Sequence, residues 1–203
     1  MIAILDFEMG NVGSIANMLK VIGIESVITR DVELIRCADK LILPGVGSFD
    51  KGMKSLSQYN LIPEIHTHAI INKKPLLGIC LGMQLLGNRS EEGQLSGLSL
   101  IPFECKRFQL DNIDLRVPHM GWDRTSFHKN NNILHGIDSP QRYYFVHSYY
   151  AVCENEDDIL MTCEYGHKFT AAVCNDNIYG VQFHPEKSHN YGMQLLKNFA
   201  ERC

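Results

Sequence analysis

Gly78-Ile79-Cys80-Leu81-Gly82 follows an apolar run and opens a helical pattern. This is the G-x-S-x-G elbow with cysteine in place of serine. A nucleophile on a sharp strand-to-helix turn crowds the chain two positions to either side, and a missing Cβ relieves that crowding. The helix N-terminus behind the sulfur favours a thiolate, and the Leu81 N–H is placed to meet an oxyanion. The plain alternative is a buried cysteine between two loop glycines. A nucleophilic thiol needs a base, and the base needs an orienting group. Gln182-Phe183-His184-Pro185-Glu186 offers both. His184 and Glu186 are two apart, so in extended chain they point the same way, with Pro185 stiffening the turn. Glu186 then holds one ring nitrogen while the other faces a thiol; the alternative is a surface His-Pro turn. In Pro44-Gly45-Val46-Gly47-Ser48 two glycines let backbone approach a ligand and turn N–H groups toward it. Asp50 stands where a dinucleotide fingerprint would need its third glycine, which excludes that reading. Glu91-Glu92 reads either as a solvated pair or as a contact for a substrate ammonium.

The remaining chemistry-bearing residues are less pointed. No histidine pair has a strong metal spacing, and His66 and His68, at i and i+2 of a helical segment, point apart. No metal or cofactor is expected. His119 and His147 could each serve as a base, or each be a packed histidine. The seven cysteines are odd in number, widely spaced and free of any C-x-x-C, which argues against a disulfide framework or zinc ribbon. Free, mostly buried thiols in a reducing cytoplasm are expected. A net charge of −4 with no basic stripe argues against nucleic acid. No apolar run reaches the roughly 20 residues of a bilayer span, and MIAILDFEMG reads as a first strand, not a signal peptide.

The elements that position these residues follow from periodicity. Ile2 to Leu5, Lys40 to Leu43 and Pro75 to Ile79 are short apolar runs that read as buried strands. Ile15, Met18, Leu19 and Ile22 fall on one helix face, Ile62, Ile65 and Ala69 on another, and Leu81 to Leu86 continue from the elbow. The second half holds short β runs at Tyr143 to Val146, Ile159 to Cys163, Phe169 to Cys174 and Ile178 to Phe183. A last helix starts at Ser188 as N-cap and buries Gly192, Leu195, Leu196 and Phe199. The expected fold is α/β and three-layered: a mainly parallel twisted sheet with helices on both faces, with antiparallel strands added in the C-terminal half. With 45% hydrophobic and 21% charged residues over 203 positions, one domain spanning 1–203 is expected.

Taken together, PGVGS, GICLGMQ and QFHPE resemble the class I (triad) glutamine amidotransferases, whose flavodoxin-like fold agrees with this reading. The stretches DFEMGNVGSI, LPGVGSF, LGICLGMQLLGNRSEEG, VPHMGWD, YFVHSYY, FTAAV and YGVQFHPEKS look like the glutaminase subunits of imidazole glycerol phosphate synthases, nearly end to end. SEEGQLSGLSLIPFECKRF and PGVGSFDKGM also look like relatives that feed ammonia to amidination of nucleotide-linked sugars for surface polysaccharide or flagellin. Ser99 departs from the glycine common in the GLG motif.

The resemblance implies hydrolysis of L-glutamine to glutamate and ammonia, with Cys80 as nucleophile, His184 as acid/base and Glu186 as orienting carboxylate. It places Val46, Gly47 and Leu81 at the oxyanion. Gly47, Gln84, Glu92, Ser148 and Tyr149 fall at the glutamine grip, and Asn11, His119, Trp122, Tyr144 and Lys187 on or near a docking face. The implied partner is a (β/α)8 synthase/cyclase subunit, bound as a heterodimer and receiving the ammonia. Two other readings stand beside this one: a partner-independent cysteine hydrolase or peptidase of the same superfamily, and a catalytically idle docking or regulatory subunit.

Overall fold

A computed structural model describes residues 1–110 and 115–203. The N-terminal half winds β1 (Ile2–Leu5), α1 (Val12–Val21), β2 (Ser26–Thr29), α2 (Val32–Cys37), β3 (Lys40–Leu43), α3 (Phe49–Gln58), α4 (Ile62–His66), β4 (Leu76–Ile79) and α5 (Leu81–Leu85). A π-turn over Thr67–Ile71 prolongs α4. The C-terminal half is mostly β: β5 (Arg89–Ser90), β6 (Phe103–Arg107), β7 (His119–Phe127), β8 (Gln141–His147), β9 (Tyr149–Cys153), β10 (Ile159–Tyr165), β11 (His167–Asn175) and β12 (Ile178–Val181). It is closed by α6 (His189–Arg202).

Among the described residues, twelve strands form one sheet whose main path runs β2-β1-β3-β4-β12-β11-β10-β7-β8. From β2 to β12 the neighbours are parallel, and from β12 to β8 they are antiparallel. β9 pairs β11 and β6, and β5 pairs β6 in parallel. The sheet is therefore mixed, its antiparallel part being a full continuation rather than a fringe.

Why the first strands read as unbroken apolar runs is visible in the packing. Ile2 and Ile4 of β1 join one core with Ile15, Met18 and Leu19 of α1 and Leu195, Leu196 and Phe199 of α6. Ala3 and Leu5 join the opposite core with Ile35 of α2, Phe49, Met53 and Leu56 of α3, Ile65 of α4 and Met83 of α5. Alternate side chains thus enter different helix layers, and both faces must be apolar. That gives the three layers.

The elements that periodicity did not show have weak patterns for physical reasons. β2 is an edge strand with one buried residue. β7 carries Gly121, Asp123 and Arg124 and is only intermittently buried. β12 stops at Val181, two residues short of the expected run. Ser188 stands at the start of α6 but makes no side-chain cap. Its hydroxyl instead donates to the His184 carbonyl at 2.7 Å and accepts from Tyr144 N–H at 3.0 Å. No cysteine among the described residues is bridged, and Cys80, Cys105, Cys163 and Cys174 are buried. Among the described residues no helix is long and apolar enough to cross a membrane.

Candidate active site

β3, β4 and β12 are adjacent and parallel, so the three segments that follow them emerge side by side at the carboxyl edge of the sheet. They are Pro44–Ser48, the Cys80 turn and the His184 turn. This is where ligands bind in open parallel sheets.

The Cys80 turn is the elbow the glycines imply. Cys80 has φ +54 and ψ −110, a backbone that L-residues rarely adopt. Its N–H is held by Val181 O of β12 at 2.8 Å. A Cβ on Gly82 would lie 1.8 Å from Leu43 O, and one on Gly78 2.7 Å from Gly82 O, so the turn closes only because both are absent. The Leu81 N–H, placed to meet an oxyanion, donates to Gly45 O at 3.3 Å.

His184 is anchored by its N–H to Tyr144 O of β8 at 2.9 Å. Its Nδ1 lies 2.8 Å from Glu186 Oε1, with side chains 1% and 3% exposed. The carboxylate accepts, so Nδ1 carries the proton. Nε2 is buried and has no hydrogen-bond partner among the described residues. The pairing is achieved by a 3-10 turn over Pro185–Lys187, not by the extended chain expected from the spacing. Burial pulls the imidazole down, but Cys80 and Glu186 outweigh it and raise His184 to about 10.

These residues face a cleft of about 290 Å³. Cys80, Leu81, Val46, Gly47 and His184 line one part; Gln84, Glu92, Ser148 and Tyr149 line the rest. Every residue expected at the oxyanion or at the substrate grip therefore shares the cleft with the thiol.

His147 also lines the cleft, which the sequence left open. Its Nδ1 donates to Tyr149 O at 2.7 Å and its Nε2 lies 3.0 Å from His119 Nδ1. Burial pushes it down to about 3, so it is neutral and saturated with hydrogen bonds, while His184 keeps a free nitrogen. Gln182, which sequence reasoning passed over, lies fully buried beneath the thiol. Its Nε2 donates to Cys80 Sγ at 3.8 Å and its Oε1 accepts from Gln84 Nε2 at 3.0 Å. A polar residue opening an otherwise apolar strand end was the available signal. Val146 and Pro118 complete the lining.

The family profile described as glutamine amidotransferase class-I matches residues 3–203. The chain belongs to this family. It is similar to "Imidazole glycerol phosphate synthase subunit HisH 2" of Methanococcus maripaludis, with 54% identity covering 100% of both chains. It is 50% identical to the protein of the same name in Pseudomonas aeruginosa, covering 99% of each chain. Among solved structures, PurLQS from Thermotoga maritima matches with a TM-score of 0.74 at 17% identity, over 98% of this chain and 96% of that one, a likeness of fold.

In this glutamine amidotransferase the residues expected at a docking face separate into two groups. Asn11 is exposed, its Oδ1 accepting from Ser14 N–H at the start of α1. The Trp122 ring stacks on His189 at 5.5 Å, and Lys187 Nζ sits 5.8 Å from the Tyr144 ring centre. His119 differs from these in being buried. It is 2% exposed and stacked between Tyr165 and Phe145. Its Nε2 lies 3.3 Å from Asp123 Oδ2.

Proposed function

We propose that this chain is the glutaminase subunit of an imidazole glycerol phosphate synthase, a cytoplasmic enzyme of histidine biosynthesis. The observation that carries the reading is the His184 imidazole: Nδ1 is committed to Glu186 and Nε2 is left free in the same cleft as Cys80. The Cys80 thiolate attacks the side-chain amide carbon of glutamine. The resulting oxyanion is held by backbone N–H groups of Leu81 and the Val46-Gly47 segment, each such donor being worth about 3 kcal/mol. The Leu81 donor becomes available once the Gly45 carbonyl turns away, and a 3.3 Å hydrogen bond is cheap to exchange. His184 protonates the departing nitrogen as ammonia, leaving a glutamyl thioester. It then takes a proton from water, whose oxygen attacks the thioester and releases glutamate and the thiolate. Gly47, Gln84, Glu92, Ser148 and Tyr149 grip the substrate, with Glu92 facing its α-ammonium.

The ammonia passes to a (β/α)8 synthase/cyclase subunit docked as a heterodimer on the face carrying Asn11, Trp122, Tyr144 and Lys187. There it is used to make imidazole glycerol phosphate and aminoimidazole carboxamide ribotide. One observation favours a second reading of the acceptor. The relatives from Methanococcus maripaludis and Pseudomonas aeruginosa, 54% and 50% identical, both carry the number 2 in their names. A duplicated glutaminase is free to serve another acceptor, such as a nucleotide-linked sugar undergoing amidination. An idle docking subunit would have no need of the free Nε2 beside Cys80.

The test is glutamate release from glutamine, with and without the synthase subunit and its nucleotide ligand. Cys80→Ala is expected to abolish glutamine use while synthesis from added ammonium salt continues. Strong stimulation by that subunit supports the histidine assignment. Cys80-dependent hydrolysis that ignores it moves the acceptor to the sugar branch, and loss of ammonium-dependent synthesis in Cys80→Ala overturns the division of labour.

A further inference from the structure

Asp50 lies outside the cleft, yet it is tied to it through a two-way clasp. Its Oδ1 accepts from Gln94 N–H and Leu95 N–H, both at 3.0 Å, and its Oδ2 from Gln94 N–H at 3.1 Å. In return, Glu92 Oε2 accepts from Phe49 N–H at 2.8 Å, the first turn of α3. Ser48, at the N-cap position, makes no side-chain cap, so Glu92 does that work from across the gap. The fit is close: a Cβ on Gly93 would fall 2.0 Å from Asp50 Oδ1. The Leu95 and Gln94 amides hold the Asp50 carboxyl below the usual carboxylate range. Each carboxylate thus caps the backbone of the other's segment, one segment being the continuation of Pro44–Ser48 and the other carrying Glu92. Glu92 lines the cleft, and its Oε1 takes no hydrogen bond from the described residues.

We infer that Asp50 is a positioning residue for amino-acid recognition: by fixing the Gln94 and Leu95 amides it holds Glu92 where one carboxylate oxygen spans to α3 and the other meets the substrate α-ammonium. The inference rests on the reading of the cleft as a glutamine site. It predicts a selective defect. Without Asp50 the Gln94 and Leu95 amides lose their acceptor and Glu92 drifts, while Cys80, His184 and Glu186, held by β4, β12 and β8, stay in place.

The experiment compares L-glutamine with glutaramate, the same amide lacking the α-ammonium, in the full-length protein with its synthase subunit present. Asp50→Ala is expected to lower the ratio of the two kcat/KM values about tenfold, one hydrogen-bonded charge contact. The loss should fall on KM for glutamine, with glutaramate changed by less than about twofold. Asp50→Asn should recover most of the ratio, since its carboxamide oxygen accepts from both amides. Gly93→Ala should lower the ratio from the other side of the clasp, and carries the test alone if Asp50→Ala does not fold. An unchanged ratio in Asp50→Ala and Gly93→Ala, or an equal loss on both substrates, overturns the inference. A wild-type protein with no Cys80-dependent glutamine cleavage overturns the glutaminase reading instead.

Discussion

The most informative side chain is His184, because two neighbours decide its protonation against its own burial. Cys80 and Glu186 raise it to about 10 from an ordinary 6.5. A histidine whose folded pKa is raised contributes stability in full below the unfolded value, and loses it as pH climbs to the folded value. The stability gap between the wild type and His184→Asn should therefore be widest near pH 6 and close toward pH 10, which thermal melts across that window would show. In the proposed reaction the same proton is given to the departing ammonia. In the proposed mechanism kcat/KM falls on the alkaline side as His184 deprotonates, and Glu186→Gln, which removes the partner charge, should move that limb to lower pH. A limb that stays put would separate Glu186 from the chemistry.

At the scale of elements, the elbow depends on atoms that are missing. The β4–α5 turn packs Gly82 against the carbonyl end of β3, and Gly82→Ala would drive a methyl into Leu43 O. Backbone on both sides cannot step aside, so the substitution is expected to cost about 3 kcal/mol, read by urea denaturation. Gly13→Ala on α1, where a Cβ meets nothing within 4 Å, should be neutral or gain up to about 1 kcal/mol. Equal effects of the two would mean the elbow is not tightly packed. Ser99 shows the converse case. It stands where the family's GLG motif has glycine, and it carries φ +51, a conformation that costs any residue with a Cβ.

At the scale of the whole molecule, the arrangement of strands joins the cleft to the proposed docking face. β8 supplies Tyr144 on the outer side, anchors His184 through the Tyr144 carbonyl and ends at His147 in the cleft. Trp122 pairs with Tyr144 in register on β7 and stacks on His189 at the start of α6. A partner seated on Trp122 therefore touches the scaffold that holds the base. Trp122→Ala should reduce the ratio of partnered to unpartnered glutamine hydrolysis and weaken binding in a titration with the synthase subunit. A ratio and an affinity equal to those of the wild type would place the docking face elsewhere.

The sequence by itself determined the elements that are written as local patterns. β1, β3 and β4 were legible because strands buried on both faces are apolar without interruption. The elbow was legible because G-I-C-L-G has a steric reason to exist; His184 and Glu186 were expected to meet from their spacing, but a 3-10 turn and not extended chain brings them together. β2, β7 and β9 were not legible: edge and half-buried strands owe their structure to neighbours far away in the chain. Three matters needed the tertiary structure. The choice between His147 and His184 as the free imidazole rests on the hydrogen bonds His147 makes to the Tyr149 carbonyl and with His119 Nδ1. The burial of His119, expected on or near a docking face, rests on its stacking between Tyr165 and Phe145. The engagement of the Leu81 N–H rests on where Gly45 comes to lie beside the elbow. Local spacing fixes which groups a turn can offer; only the packing of distant segments fixes which of those groups are already spent.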